Sequence, residues 1–343
     1  MEMTYRAFEC SGKTPLSEHA RIVRRETKAL LPGVLIRVHY SALNYKDALA
    51  ASGHKGIASH YPHTPGIDAA GVIEALPDSA GTHFSVGDEV IVTGYDLGMD
   101  RAGGLAEYIT VPEAWIVKKP EALSLDGVMA LGTAGITAGM AVDSLLQVGL
   151  TPHFGEIAVT GATGGVGSIA IMLLAQLGFK VVAITGKIEQ APLLQELGAM
   201  QVMDRHTFLR QGDQALLDER WGGAIDTLGG EPLITLLKGV RYGGSVACCG
   251  MASSSQLNGN VYPFILRGVN LLGVDSAQLP LAFREDLWQK FAHEWRLSKL
   301  NHIVDTIHLD AVLASLESLL RGDHVGRFVV DLSPESACSD FPK

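Results

Sequence analysis

The residues that most plainly announce chemistry lie mid-chain: Gly161-Ala-Thr-Gly164-Gly165-Val166-Gly167. An apolar run, Glu156-Ile-Ala-Val-Thr160, precedes them, and a helical pattern from Ser168 to Leu177 follows. Glycines in such a strand–turn–helix setting allow a tight turn and bring the backbone of Gly164, Gly165 and Val166 close to a pyrophosphate at the positive end of a helix. A lone glycine run is weak evidence. Here a second buried run, Lys180-Val-Val-Ala-Ile-Thr185, follows at the spacing of a βαβ unit. Its end bears on which dinucleotide is taken. A carboxylate there would accept the ribose hydroxyls, whereas Thr185, Gly186 and Lys187 offer a hydroxyl, a flexible glycine and an ammonium, a seat suited to a 2′-phosphate. NADPH is the expected cofactor. The alternative is that Lys187 is only a solvated neighbour of a helix cap.

Other reactive residue types lead nowhere comparable. His54, His60 and His63 form the one histidine cluster, in a loop broken by Pro62, and read as ordinary surface histidines, so no metal is expected. Cys10, Cys248, Cys249 and Cys338 lack C-x-x-C spacing, which argues against a thiolate zinc site or a disulfide framework. Cys248 and Cys249 end a strand before Gly250, where packing is the expected role, and Gly250 joins the cofactor-binding candidates.

These residues need elements to position them. The 343 residues favour two domains, and 47% hydrophobic with 19% charged residues is ordinary for a chain with a substantial core. A net charge of -10 argues against nucleic-acid binding while leaving room for an anionic small ligand in a local basic pocket. The N-terminal residues lack signal-peptide order, and the most apolar stretch, Val166 to Thr185, is interrupted by Gln176, Gly178 and Lys180. It reads as a buried helix and strand, so a cytoplasmic protein without membrane contact is expected. Residues 1 to about 125 show short strands (Val34–Tyr40, Gly71–Ala75, Glu89–Thr93, Leu105–Val111), the pattern of a compact β-barrel domain. From there to about Asp275, strands (Ala224–Thr227, Gly244–Cys248 and Asn270–Val274 among them) alternate with helices as in a doubly wound parallel sheet. Two helices and the strand Arg327–Asp331 then return to the first domain, and a short polar tail after Ser333 is expected to fray. The expected division is 1–125 with 276–343, and 126–275.

In this order the motifs resemble the medium-chain dehydrogenase/reductase superfamily, in its zinc-free quinone-oxidoreductase-like group, and most narrowly the acryloyl-CoA reductases. The matching stretches include Ala42-Leu-Asn-Tyr-Lys-Asp-Ala-Leu49, Pro65-Gly-Ile-Asp-Ala-Ala-Gly71, Gly132-Thr-Ala-Gly135, Pro263-Phe-Ile-Leu-Arg267 and Gly273-Val-Asp-Ser276. The resemblance implies an α/β chain made of a GroES-like β-barrel catalytic domain and a Rossmann-type NADPH-binding domain, paired as a homodimer through the edge of the nucleotide-binding sheet, with 270–274 a candidate edge. Zinc-dependent relatives carry a cysteine ligand where this chain has Asn44 to Asp47, a Gly-His-Glu element where it has Gly66-Ile67-Asp68, and a four-cysteine lobe that is missing here.

What the resemblance implies for activity is NADPH-dependent reduction of an activated C=C bond, acryloyl-CoA above all. The alternatives are a quinone or enone reductase and a non-catalytic NADPH-binding sensor. Conjugate reduction needs a hydride at the β-carbon, donors at the developing enolate and a proton at the α-carbon. The resemblance sets Asn44 and Tyr45 beside the nicotinamide, Asn44 as an amide donor and Tyr45 as the candidate acid, unless Tyr45 merely packs. Asp47 and Asp68 are expected to orient Asn44, Lys46 or a water, or, for Asp47, to cap a helix. Thr133 is expected on the nicotinamide side. Tyr242 and Arg327 match positions that touch phosphates or ribose in relatives, and Arg267 seats the carboxamide or braces a domain junction. Lys46, Lys55 and Arg101 are the candidates for holding CoA.

Overall fold

A computed structural model describes residues 3–77, 82–210 and 214–333. The expected tail after Ser333 lies outside them. The chain divides into two compact units: Met1–Thr133 with Ala277–Glu294 and Val304–Lys343, and Ala134–Ser276 with Trp295–Ile303. The short stretch Trp295–Ile303, grouped with the first domain in the sequence reading, clusters with the second unit.

The first unit is the GroES-like half. Its spine is the strand Val34–Leu43, whose alternating half buries Val34, Ile36 and Val38. A register shift between Val38 and Tyr40 breaks that alternation, and Ser41, Ala42 and Leu43 are then all buried. One edge of this strand pairs with Tyr108–Val111 at its start and with Arg327–Asp331 at its end; the other edge pairs with Asp68–Ala75. Sharing one long strand between two partners curls the sheet around a core that includes Phe8, Ile36, Leu43, Ile73, Ile109, Leu316 and Val330. The final region contains one strand more than expected. Val304–His308 runs parallel to Arg327–Asp331, with the helix Val312–Arg321 between them in sequence. An N-terminal hairpin, Thr4–Cys10 with Ala20–Glu26, completes the unit.

The second unit holds a six-stranded, all-parallel sheet. Its order is Gln201–Asp204, Lys180–Thr185, Glu156–Thr160, Trp221–Asp226, Val240–Cys248, Asn270–Gly273. This is the 3-2-1-4-5-6 winding of dinucleotide-binding sheets, in which the chain reverses beside the first strand and opens a crevice at the carboxyl ends. The helix Gly165–Gln176 has every residue from Gly167 to Leu174 buried, so its apolar character all round reflects a core position. Among the described residues one helical segment, Leu125–Gln147, is long and apolar enough to cross a membrane, but 72% of its most apolar window is buried in the protein. It is also broken at Gly132, whose φ of 51° and ψ of -152° belong to a region that only glycine occupies readily.

Candidate functional site

In the first unit the spine strand ends at Leu43, and Asn44 begins the short helix Tyr45–Ala51. Asn44, and not Asp47, is the N-cap residue. Asp47 stands three residues later and accepts a hydrogen bond from the Asn44 backbone N–H at 2.7 Å, the returning half of a capping box. Its other oxygen accepts from Gly66 N–H at 3.0 Å and Ile67 N–H at 2.9 Å, which ties the helix start to the loop before the strand Asp68–Ala75.

Asp68 is the hub of a buried network. Its carboxylate accepts from the Asn44 amide at 2.8 Å, from Thr133 N–H at 2.9 Å and from the Thr133 hydroxyl at 2.6 Å. Arg327 lies 3.6 Å away as its ion-pair partner, with side-chain exposure of 3% against 0% for Asp68. The guanidinium also donates to the carbonyls of Leu43 (3.1 Å), Ala130 (3.2 Å) and Met129 (3.4 Å), and to the Asn44 amide oxygen (3.0 Å). The glycine at 132 is what makes this approach possible. A Cβ there would stand 2.5 Å from Asp68 Oδ2 and 2.8 Å from Arg327 Nη2.

This geometry shows where the expected site residues spend their hydrogen bonds. Arg327, expected on the cofactor's phosphates or ribose, spends its fork on three carbonyls, Asn44 and Asp68. Asn44 has its amide oxygen and nitrogen engaged by Arg327 and Asp68, and Thr133 gives both N–H and hydroxyl to Asp68. These residues position the segment. Tyr45, 41% exposed at the first turn of the helix, presents the segment's phenol to the outside.

Burial pushes the Asp47 carboxyl up to about 7, Asp68 adding to the rise while the three N–H donors oppose it. Its value is raised above that of the unfolded chain, so its contribution to stability is complete below the usual carboxylate range and is lost as pH rises toward 7. Asp47→Asn is therefore expected to be less sensitive than the wild type to a shift from pH 4.5 to 7.5, by about 2 kcal/mol in denaturant titrations. Parallel pH profiles for the two proteins would dismiss a protonating Asp47.

In the second unit the glycine loop leaves the strand Glu156–Thr160 at its carboxyl end. Gly161 has φ +58°, and a Cβ on it or on Gly167 would overlap Thr227 or the Gly161 carbonyl respectively. Gly164 is the N-cap of the following helix and its carbonyl accepts from Ser168 N–H at 2.9 Å. Helix geometry leaves the N–H groups of Gly165, Val166 and Gly167 without an intrahelical acceptor, a cradle for an anion. Gly250 follows the strand Val240–Cys248 and lies so close to the Thr227 backbone that a Cβ would overlap its carbonyl.

At the end of the neighbouring strand the Thr185 hydroxyl accepts from Lys187 N–H at 3.0 Å, which shapes the turn. Gly186 has a second cation against it that the sequence reading missed. A Cβ at Gly186 would stand 3.0 Å from Arg205 Cζ. The parallel register explains why, since Asp204 lies opposite Thr185 and Arg205 comes directly after it. An arginine immediately after the third strand is the signal that would have found it. Asp204 is turned away, capping the next helix through Thr207 N–H at 2.9 Å.

Two further cofactor candidates lie at the amino end of the sheet. Tyr242 is 71% exposed near the amino end of its strand, where Val240 pairs with Trp221. The glycine loop follows the carboxyl ends, so the strand length of about 16 Å separates the two. Arg267 lies at the same amino end, donating to the carbonyls of Leu217 (2.7 Å), Lys238 (2.9 Å) and Val240 (3.3 Å). Its cations brace the unit. Arg101, a CoA candidate, likewise donates to the Thr110 carbonyl at 2.9 Å and covers the Trp115 ring.

Burial raises the Cys249 thiol to about 12, and its Sγ donates to the Asp226 carbonyl at 3.3 Å, as suits a packing residue. Among the described residues, no group of three or more His, Cys, Asp or Glu is arranged to hold a metal ion. His63 is buried against the Gly98 carbonyl at 2.8 Å, and His60 bonds Ser59.

The alcohol dehydrogenase GroES-like domain family matches residues 32–121, and the zinc-binding dehydrogenase family residues 165–293. The donors a zinc would need in the first unit are replaced by Asn44 and by carboxylates already committed to N–H groups and Arg327. The chain is 43% identical over 92% of its length to the putative quinone oxidoreductase YhfP of Bacillus subtilis, covering 95% of that protein. It is 41% identical over 88% of its length to the acrylyl-CoA reductase AcuI of Ruegeria pomeroyi, covering 90% of it. The structure matches the yhdH oxidoreductase of Salmonella enterica in complex with NADP at a TM-score of 0.90, with 38% identity and coverage of 95% of this chain and 99% of that one. YhfP itself has been solved with NAD bound, and matches at 0.89 over 96% and 100% of the two chains, with 41% identity. With a GroES-like unit, a six-stranded Rossmann sheet and relatives of this closeness over nearly its full length, the chain belongs to the medium-chain dehydrogenase/reductase superfamily of nicotinamide-dependent oxidoreductases.

Proposed function

We propose that the chain is an NADPH-dependent reductase of activated C=C bonds that converts acryloyl-CoA to propanoyl-CoA. The observation that carries this reading is the buried Asn44–Asp68–Thr133–Arg327 network, which fixes the helix start and leaves the Tyr45 phenol exposed, as a proton donor must be. The relatedness to AcuI supports the thioester substrate, and the complex of yhdH with NADP supports the cofactor. Lys187 and Arg205 flanking Gly186 suit a 2′-phosphate, while Gly165, Val166 and Gly167 suit the pyrophosphate.

Bound NADPH supplies the hydride that reaches the β-carbon. The chain's own part is to hold the acceptor, meet the charge on the thioester oxygen and deliver a proton to the α-carbon. With Asn44 locked, the Tyr45 phenol is the group for the last step. Asp68 and Arg327 neutralise one another and, through Asn44, keep the helix start from shifting.

The test is NADPH oxidation with acryloyl-CoA, crotonyl-CoA, a soluble benzoquinone and NADH in parallel. Saturable turnover of acryloyl-CoA with NADPH is expected; turnover of quinone alone would favour the second reading, which the likeness to YhfP supports. Tyr45→Phe is expected to lower kcat by about 10²-fold with the KM for NADPH unchanged, as general-acid removal does. An unchanged kcat would return the role to water. The assembly that accompanies this reading is a cytoplasmic homodimer, supported by the edge position of the strand Asn270–Gly273 beside the exposed Val261, Ile265 and Leu266.

A further inference from the structure

Among the lysines described in the first unit, four have carboxylate partners: Lys28 with Glu26, Lys118 with Asp88, Lys119 with Glu89 and Lys290 with Asp286. Lys13, Lys46 and Lys55 have none within ion-pair distance among the described residues, in a chain whose net charge is -10. Lys13 and Lys55 also lie on loops that meet. The backbone of Gly53 packs so tightly on Gly12 that a Cβ would overlap the Gly12 carbonyl, which sets Lys13 beside His54 and Lys55. Gly12 in turn rests on the Tyr61 ring, 2.5 Å from the position its Cβ would take, and the Tyr61 hydroxyl donates to the Ala50 carbonyl at 2.6 Å. His54 N–H donates to the Leu49 carbonyl at 3.0 Å. Both loops are thereby fastened to the carboxyl end of the helix Tyr45–Ala51, whose first turn carries Lys46. Lys13, His54 and Lys55 are exposed, and Gly56 (φ +87°) faces open space where a side chain would otherwise project.

We propose that Lys13, His54 and Lys55 form the seat for the phosphates of a coenzyme A thioester. The proposal rests on the thioester reading above and extends it to the residues that hold the carrier. Reach supports it. From thioester sulfur to the first phosphorus of CoA are about thirteen covalent bonds, about 16 Å when extended. Tyr45 stands at one end of a helix about 10 Å long, and the basic loops lie beyond the other. An acyl group at Tyr45 therefore brings the pyrophosphate to the Lys13–Lys55 end, where extended lysine side chains span the remainder. Neutral enones and quinones have no use for such a cluster.

The measurement is the KM of acryloyl-pantetheine, which lacks the phosphates, divided by that of acryloyl-CoA, in wild type and in the double variant Lys13→Glu/Lys55→Glu. Both residues are exposed, so folding is checked simply by circular dichroism. Lys118→Glu serves as a charge control away from the loops. A ratio of about thirtyfold in the wild type and in the control, collapsing to near one in the double variant, is the expected result. A ratio retained by the double variant overturns the proposal while leaving the thioester reading intact. If the wild type turns over neither thioester, the substrate reading has failed, and calorimetry with free CoA decides the seat alone. Binding by the wild type that the double variant loses supports it; equal binding, or none, overturns it.

Discussion

Arg327→Met is expected to cost the first unit about 3–5 kcal/mol, the range seen when one partner of a buried ion pair is removed. The substitution preserves much of the side-chain volume, so the loss is electrostatic. It strands the Asp68 carboxylate with no cation, and it leaves the carbonyls of Leu43, Ala130 and Met129 without the donor that satisfied them. Arg327→Lys is expected to recover only a minor part, because a single ammonium cannot reach carbonyls from two segments and Asn44 with a fork's geometry. Pairing the change with Asp68→Asn should recover more, since the unpaired charge is then removed as well. Hydrogen exchange resolves the effect by unit. Amides of the strand Val34–Leu43 should lose protection while those of Lys180–Thr185 keep it. A loss below about 1 kcal/mol would mean that water replaces the guanidinium without penalty, and that the network is not what holds the helix start.

The second large effect is on the choice of cofactor. Arg205→Ala combined with Lys187→Ala is expected to weaken NADPH binding by about 10²-fold and to change NADH binding by less than threefold, so that any preference for the phosphorylated form disappears. The guanidinium against Gly186 offers a planar fork suited to phosphate oxygens, with Lys187 a second charge one residue away. Gly186→Ala is the sharper companion, because a methyl group placed 3.0 Å from Arg205 Cζ displaces the arginine without touching its charge. Fluorescence titration with each nucleotide separates the outcomes. Equal losses for NADPH and NADH would show that these residues hold the adenosine or the loop itself and do not discriminate at the 2′ position.

Much of the architecture was legible from one-dimensional patterns, because those patterns record constraints local to a few residues. The run Glu156–Thr160, the glycines from 161 to 167 and the run Lys180–Thr185 announce a strand–turn–helix–strand unit, since backbone turning and apolar periodicity act over neighbouring positions. The same holds for Gly186 with Lys187, where a missing carboxylate is itself a signal. What could not be read was where side chains from distant segments spend their hydrogen bonds. Arg327 and Arg267 look like ligand-binding cations in a sequence, but the fold surrounds them with carbonyls from chain segments tens to hundreds of residues away. Tyr242 is expected at the cofactor through the resemblance, yet parallel winding puts the amino end of its strand on the far edge from the glycine loop. Arg205 escaped notice for the converse reason, becoming a neighbour of Gly186 only when the third strand pairs with the second in register. The sequence by itself determined the element types, the two-unit organisation and the class of cofactor loop, all set by short-range sterics and burial. Which charges are free to meet a ligand, and which are consumed in holding the protein together, was decided by tertiary structure, because a buried donor must find its acceptor wherever the fold supplies one.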